Sequence, residues 1–355
     1  MDQLTRLRER FAALGIDGML ITSPTNRRYM TDFTGTAGMV LISKDDAKLL
    51  VDTRYVEQAM AQAVQFDVIQ YKDSRVPYET VSAEANRMGI TKLGFEQNFL
   101  TFSAYTKYQE QIKAELVPTD EAVEHLRMIK TTDEIAKLRT AAQIVDYAFS
   151  QIVEFIRPGV TEKAVANHLE FTMRQQGAES SSFDIIVASG YRSALPHGVA
   201  SDKEIASGEM VTLDFGATYK GYRSDLTRTV AVGDPGEQLK EIYQIVLDAE
   251  LTTIETLRAG ISCKEVDDMA HEFISKRGYG PYFGHGTGHG IGLDIHEEPF
   301  FATRSVKKLE AGMVMTVEPG IYIPKLGGVR IEDDVLITTT GNEVITSAPK
   351  QLITL

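Results

Sequence analysis

The 355-residue chain has one cysteine, Cys263, and fewer Lys and Arg (37) than Asp and Glu (50). It also has no apolar run approaching the roughly 18 residues of a membrane helix. Each shortage excludes something. A single cysteine cannot close an internal disulfide, and it fits a reducing cytoplasm. The opening MDQLTRLRERF is charged and amphipathic without an apolar core, so no secretory signal is expected and the expected location is cytoplasmic, off the membrane. A formal charge of −13 and a pI near 5.1 argue against nucleic acid as a partner. Part of the acid excess is instead available for clustering on metal ions. What remains is ordinary globular composition, 43% hydrophobic and 25% charged, with length enough for two domains.

The first 120 residues alternate apolar strands with helices. GMLIT (18–22), GMVLIS (38–43), AKLLVD (47–52) and KLGFE (92–96) read as strands, and TRYVEQAMAQAV (53–64) as a helix between them. This is the pattern of a compact α/β domain. A break falls near ELVPTDEAVEHLR (115–127), which sets the domain limits at 1–122 and 123–355. Beyond it Thr131 and Glu134 have capping-box spacing. Ile135, Leu138, Ala142, Val145, Phe149, Ile152 and Ile156 then follow at three- and four-residue steps, the apolar stripe of a long helix that RPG (157–159) ends.

The chain past the break repeats itself. AAQIVDYA (141–148) returns as IYQIVLDA (242–249), and the segment 157–177 returns as 258–278, both at an offset of 101. GEMVTLDFG (208–216) matches GMVMTVEPG (312–320) at an offset of 104. Three blocks in one order divide this region into two related halves, roughly 125–235 and 236–350, and such halves pack about a pseudo-two-fold axis with a site between them.

The aligned strands set Asp214 opposite Glu318. Each is followed by a hairpin and a second acid, Asp225 in GYRSDLTRT and Glu332 in GVRIEDDVLI, with Arg223 and Arg330 two residues ahead of it. Taken singly, each acid is also readable as a solvated strand end. Four together among Val211, Leu213, Val314 and Val317 would repel and be costly to bury without cations. The stretch GHGTGHGIGLDIHEEP (284–299) adds His285, His289 and His296 among five glycines. That much glycine, and Gly286 after the first histidine, argue against a helical H-E-x-x-H zinc site, so the stretch reads as a loop leading into a strand over IGLDIH. Two divalent ions resolve the conflict among the acids, with His289 completing the ligand set. Four carboxylates, an imidazole and no thiolate suit Mn²⁺, Co²⁺ or Fe²⁺ better than structural zinc. His125, His168 and His271 are read as structural or surface residues.

The set Asp214, Asp225, His289, Glu318 and Glu332, carried by LDFG, SDLTRT, HGTGHGIGLDIHE, TVEPG and VRIEDD, resembles that of the pita-bread metallopeptidases. That family includes aminopeptidase P, prolidase and methionine aminopeptidase. The resemblance covers the whole chain, and the first 120 residues are similar to the creatinase-type N-terminal domain of the Xaa-Pro-cleaving branch. It implies an α/β (α+β) fold, in which that domain precedes a pseudo-two-fold pita-bread catalytic domain. It implies two divalent metal ions per subunit, Mn²⁺ first, with Co²⁺, Zn²⁺ or Fe²⁺ as alternatives. Asp214 would hold one, His289 and Glu318 the other, and Asp225 and Glu332 both. A hydroxide between the metals would attack the carbonyl before proline, and Glu318 would relay its proton. LPHG (195–198) supplies His197, which with His296 would bind the substrate backbone and the developing oxyanion. His285 would form the wall of the proline pocket, and Arg330 would support the carboxylates. A homodimer is implied by family habit.

The substrate is a proline-containing di- or oligopeptide in either branch of the resemblance. Many prolidases carry an arginine in HEWPR that can hold the free proline carboxylate. Here HEEPF places Phe300 there, which favours aminopeptidase P over the alternative, prolidase, unless Arg192, Arg54 or a partner subunit substitutes. A metal-free creatinase-like enzyme or a peptide-binding pseudopeptidase is the remote alternative, since such relatives usually lose several ligands and all five are present here.

Overall fold

The computed structural model describes residues 2–71 and 77–355. The chain divides into two compact units, Met1–Arg127 and Met128–Leu355. In the first, helices α1 (Gln3–Leu14), α2 (Pro24–Thr31), α3 (Val56–Gln62), α4 (Tyr78–Arg87), α5 (Phe102–Gln111) and α6 (Glu124–Met128) accompany six strands. These are β1 (Gly18–Ile21), β2 (Met39–Ser43), β3 (Ala47–Val51), β4 (Asp67–Gln70), β5 (Lys92–Glu96) and β6 (Glu115–Thr119), in the order β4-β3-β2-β1-β5-β6. Pairing is mixed: β1 runs antiparallel to β2 and parallel to β5. The expected helix over 53–64 shrinks to Val56–Gln62. The expected break at 115–127 instead holds β6 and α6, because Glu115–Thr119 finds a parallel partner in β5 that sequence pattern alone does not reveal.

The second unit opens with α7 (Thr132–Phe155), whose Thr131 and Glu134 form both bonds of the capping box. Then come α8 (Glu162–Gln175), β7 (Ser180–Ser181), β8 (Ile186–Ser189), a 3₁₀ turn over Gly190–Ala194, β9 (Glu209–Phe215), β10 (Ala217–Tyr219), β11 (Tyr222–Arg223) and β12 (Leu226–Val232). The second half repeats this order with α9 (Glu237–Thr256), α10 (Cys263–Ser275), β13 (Gly288–Gly290), β14 (Glu297–Phe301), β15 (Val314–Val317), β16 (Gly320–Ile323), β17 (Gly327–Arg330), β18 (Asp333–Ile337) and β19 (Asn342–Val344). Sheet β12-β9-β8 belongs to the first half, and β14-β13-β15-β18-β19 to the second. A bridge from Thr227 to Glu332 joins them.

Period-two alternation sorts each strand between core and site. Val211, Leu213 and Phe215 of β9 pack into an apolar cluster with α7 and α8, which turns Thr212 and Asp214 to the opposite face. Met315 and Val317 of β15 do the same against Val266 and Leu309, leaving Thr316 and the following Glu318 on the other side. Among the described residues, no helix is long and apolar enough to cross a membrane.

Candidate functional site

One cavity of about 640 Å³ in the second unit is lined by Asp214, Asp225, His289, Glu318 and Glu332, and also by His197, His285, His296 and Arg330. All nine residues singled out in the sequence therefore meet in one place. β9 and β12 deliver the two aspartates from the first half, with Asp214 paired to Thr227 across the ladder. The end of β15 and the start of β18 deliver the two glutamates from the second. Donor atoms of Asp225, His289 and Glu332 lie within 4.8 Å of one another. The His289 Nε2 atom stands 3.4 Å from Glu318 Oε1 and 3.8 Å from Asp225 Oδ2.

The stretch that carries His289 departs from expectation. IGLDIH is a run of bends, and the strands lie to either side of it, at Gly288–Gly290 and Glu297–Phe301. The glycines serve this packing more than approach to a ligand. A Cβ on Gly288 would sit 2.1 Å from the Thr316 carbonyl oxygen, and one on Gly290 would sit 2.6 Å from that of Glu298. Any side chain there would push β13 off its neighbours, β15 and β14. The His289 Nδ1–H donates to the Gly290 carbonyl at 3.0 Å, which leaves the Nε2 lone pair facing the carboxylates.

The electrostatics are those of a site that needs cations. Burial raises the Asp225 carboxyl well above the ordinary carboxylate range, and the neighbouring Glu332 and Asp214 add to it. Burial, then Glu318 and Asp214, do the same to Glu332. Glu318 is raised by burial first. The imidazoles of His285, His289 and His296 are all lowered by burial, so they stay neutral and able to ligate or hydrogen-bond. Asp214 Oδ1 and Asp225 Oδ1 are buried and accept no hydrogen bond among the described residues. Orphaned carboxylate oxygens crowded with like charge are the donor set that a hard or borderline divalent ion takes, and the residues fit such a group.

Around these carboxylates and His289 is a ring of supporting bonds. Thr227 Oγ1 donates to Glu332 Oε2 at 2.6 Å, and Thr316 Oγ1 donates to Glu318 Oε1 at 3.2 Å. The Asp334 carboxylate accepts from the Asp225 backbone N–H at 3.0 Å. Arg330 donates through Nη2 to Asp214 and through Nη1 to the Tyr322 hydroxyl at 2.8 Å, and Tyr322 reaches His285 Nε2 at 2.8 Å. Sequence reasoning missed Tyr322, Thr227, Thr316 and Asp334. The one signal for Tyr322 was its position four residues after Glu318, on the next strand. The repeat is broken here as well, because Arg223 donates to the backbone carbonyls of Leu293 and Ser182 and not to a carboxylate. His271 is nearer the site than a bland reading allows. Its ring stacks on Phe283 at 4.0 Å, and its Nε2 contacts the His285 carbonyl at 3.0 Å. His168 stacks on Phe155, and His125 Nδ1 contacts the Glu121 carbonyl, both as structural residues.

A carboxylate–imidazole cluster at the base of a cavity, shared by two related halves, defines a divalent-metal hydrolase. The chain belongs to metallopeptidase family M24, whose model matches residues 136–339, and the creatinase/prolidase N-terminal domain model matches residues 3–129. The fold is accordingly the creatinase-type domain followed by the pita-bread domain. A solved Xaa-Pro dipeptidase from Bacillus anthracis is 58% identical, with a TM-score of 0.98 over 99% of both chains. The Xaa-Pro dipeptidase of Pyrococcus furiosus is 41% identical over 95% of each chain. A solved X-Pro aminopeptidase from Thermotoga maritima is 38% identical, with a TM-score of 0.91 over 98% of this chain and 99% of that one.

Proposed function

We propose that the protein is an Xaa-Pro dipeptidase working with two divalent metal ions, Mn²⁺ first among the candidates, and cleaving the bond before proline. The observation that carries the metal part is the buried set of Asp214, Asp225, His289, Glu318 and Glu332, with two carboxylate oxygens lacking any partner among the described residues. Asp214 would hold one ion, His289 and Glu318 the other, and Asp225 and Glu332 both. Metals bound there supply Lewis acidity toward the substrate carbonyl and a water acidic enough to act as nucleophile near neutral pH.

The chain's own groups do the rest. Glu318 is the most exposed of the ligand carboxylates and has burial-raised basicity, so it suits taking a proton at Oε2 and handing it to the leaving proline nitrogen. The rings of His197 and His296 line the same cavity and are placed to donate to the substrate carbonyl as charge develops on its oxygen. His285, whose Nδ1 and Nε2 are both engaged, offers a fixed ring edge as pocket wall. Arg330 keeps Asp214 in place.

The named relatives favour the dipeptidase over the aminopeptidase P activity that Phe300 suggested. The second reading keeps one observation of its own. Arg330 is the sole Lys or Arg lining the cavity among the described residues, and it is committed to Asp214 and Tyr322. Arg192 is bound to Glu162. A dipeptide's free carboxylate would therefore be met by the imidazoles or by a cation from a second subunit in the homodimer. Hydrolysis of Ala-Pro and Ala-Pro-Ala by Mn²⁺-loaded protein, with a chelated control, decides the matter. Cleavage of the dipeptide at several times the tripeptide rate is expected. Faster release of alanine from the tripeptide would replace this reading with the aminopeptidase.

A further inference from the structure

Glu162 is the first residue of α8 and is wholly buried. A carboxylate at that depth has to be matched by donors, and here the donors come from one loop. Glu162 Oε1 accepts from the Ser189 backbone N–H at 2.8 Å and from its hydroxyl at 2.9 Å. Oε2 accepts from the Ser201 backbone N–H at 3.0 Å and from its hydroxyl at 2.6 Å. The Arg192 Nε–H lies between, 3.0 Å from Oε2, and the Arg192 Nη2 goes on to the Val199 carbonyl at 2.7 Å. One side chain thus ties the first residue of the 189–201 segment, its last residue and a side chain from its middle.

The segment carries Pro196, His197 and Val199 to the cavity wall. Within it, Leu195 donates to the Arg192 carbonyl, Gly198 to that of Leu195 and Val199 to that of His197. The His197 ring makes no hydrogen bond among the described residues, so its aim is set by the backbone that bears it, and that backbone hangs on Glu162.

The other half of the repeat shows that the helix does not itself need this acid. Cys263 holds the matching place at the start of α10. Its N–H donates to the Lys307 carbonyl at 2.9 Å, as the Glu162 N–H donates to the Lys203 carbonyl at 3.0 Å. The residue before each forms an antiparallel bridge, Thr161 with Glu204 and Ser262 with Lys308. The backbone arrangement is duplicated and only the side chain differs. The first half has a carboxylate at this place and the second a thiol, although both halves bring a histidine to the cavity wall, His197 in the one and His296 in the other.

We propose that Glu162 is a positioning residue for the peptidase reaction: by closing the 189–201 loop at both ends and at Arg192, it sets His197 at the edge of the catalytic cavity. The proposal rests on the reading of His197 as a group that contacts substrate. Glu162→Gln keeps the shape but turns an amide donor toward donors. In Mn²⁺-loaded full-length protein it should lower kcat about 10- to 100-fold on Ala-Pro, the scale of a misplaced catalytic contact, with KM and bound Mn²⁺ little changed. In a His197→Ala background the same substitution should cost less than about twofold, because the group it places is gone. Amide exchange over 189–201 should quicken about tenfold while β9 and β12 keep their protection.

His197→Ala alone has to cost turnover, and near-parent activity there would overturn the reading of His197 whatever the exchange shows. Equal losses in the two backgrounds, or unchanged exchange in the loop, would overturn the role of Glu162. Should Glu162→Gln not fold, Ser201→Ala removes one bond of the tie. It is expected to give a smaller kcat loss of the same kind, again absent beside His197→Ala, and the same outcomes count against the proposal.

Discussion

The two halves of the catalytic unit have the same succession of helix, helix and strands, yet each uses the shared frame differently. The first half brings aspartates, Asp214 from within β9 and Asp225 from just ahead of β12. The second brings glutamates, Glu318 from just beyond β15 and Glu332 from just ahead of β18. His289, His285 and His296 come from the second half only, and His197 from the first only. The duplication supplies a symmetric socket, and the residues that differ between its halves make the site asymmetric. Phe149 and Glu250 occupy one repeat position, and so do Glu162 and Cys263. In each pair one residue packs as core and the other is a buried acid tied into a polar network.

The sharpest way to break the comparison is at the acids expected to serve both metals. Asp225→Asn in one half and Glu332→Gln in the other should each lower turnover by about three orders of magnitude or more. Each should also reduce bound Mn²⁺, since either change removes a shared ligand. Parent-like metal content with parent-like activity in one variant would show that only one half supplies a bridge.

Next in size is the arginine pair. Arg330→Lys loses the fork that holds Asp214 and Tyr322 together and should cost about 10- to 100-fold in kcat/KM, as loss of a ligand's supporting bond generally does. Arg223→Lys, at the matching place but bonded to backbone carbonyls, should stay within about twofold of the parent. Equal losses would mean that the second arginine reaches the site by a route absent from its contacts.

The smallest expected effect is on stability. Burial first, then a hydrogen bond with Asp333 and the charge of Asp333, push Glu250 up to about 9, against an ordinary 4.5. The native chain keeps a proton there that the unfolded chain has lost. The contribution of this group is therefore full below about pH 4.5 and is lost as pH rises through 9. Glu250→Gln should flatten that part of the decline, and Tm measured from about pH 5 to 9 should fall less steeply than in the parent. A slope unchanged by the substitution would mean that Lys350, 2.6 Å away, keeps Glu250 ionised throughout.

The repeat made much of the site legible. Internal alignment paired Asp214 with Glu318 and Asp225 with Glu332, because the spacing of carboxylates along strands survives in sequence. The α7 helix was legible for a similar reason: its capping box and apolar stripe are local, and both appear in the structure. Partners brought from afar were not. Tyr322 reaches His285 across 37 residues, and Asp334 reaches the Asp225 N–H across 109. The strand expected over IGLDIH failed because alternating apolar residues there are used to turn the chain between β13 and β14.

By itself the sequence determined which residues are able to hold divalent ions, that they come in two related sets, and where α7 begins. Those properties follow from residue type and spacing along one chain. Only the tertiary structure decided that all nine candidates line one cavity, that Arg330 and not Arg223 serves the carboxylates, and that Glu162 holds the loop bearing His197. These depend on which buried donor lies within reach of which acceptor. A buried polar atom has to find its partner in space, wherever in the chain that partner lies.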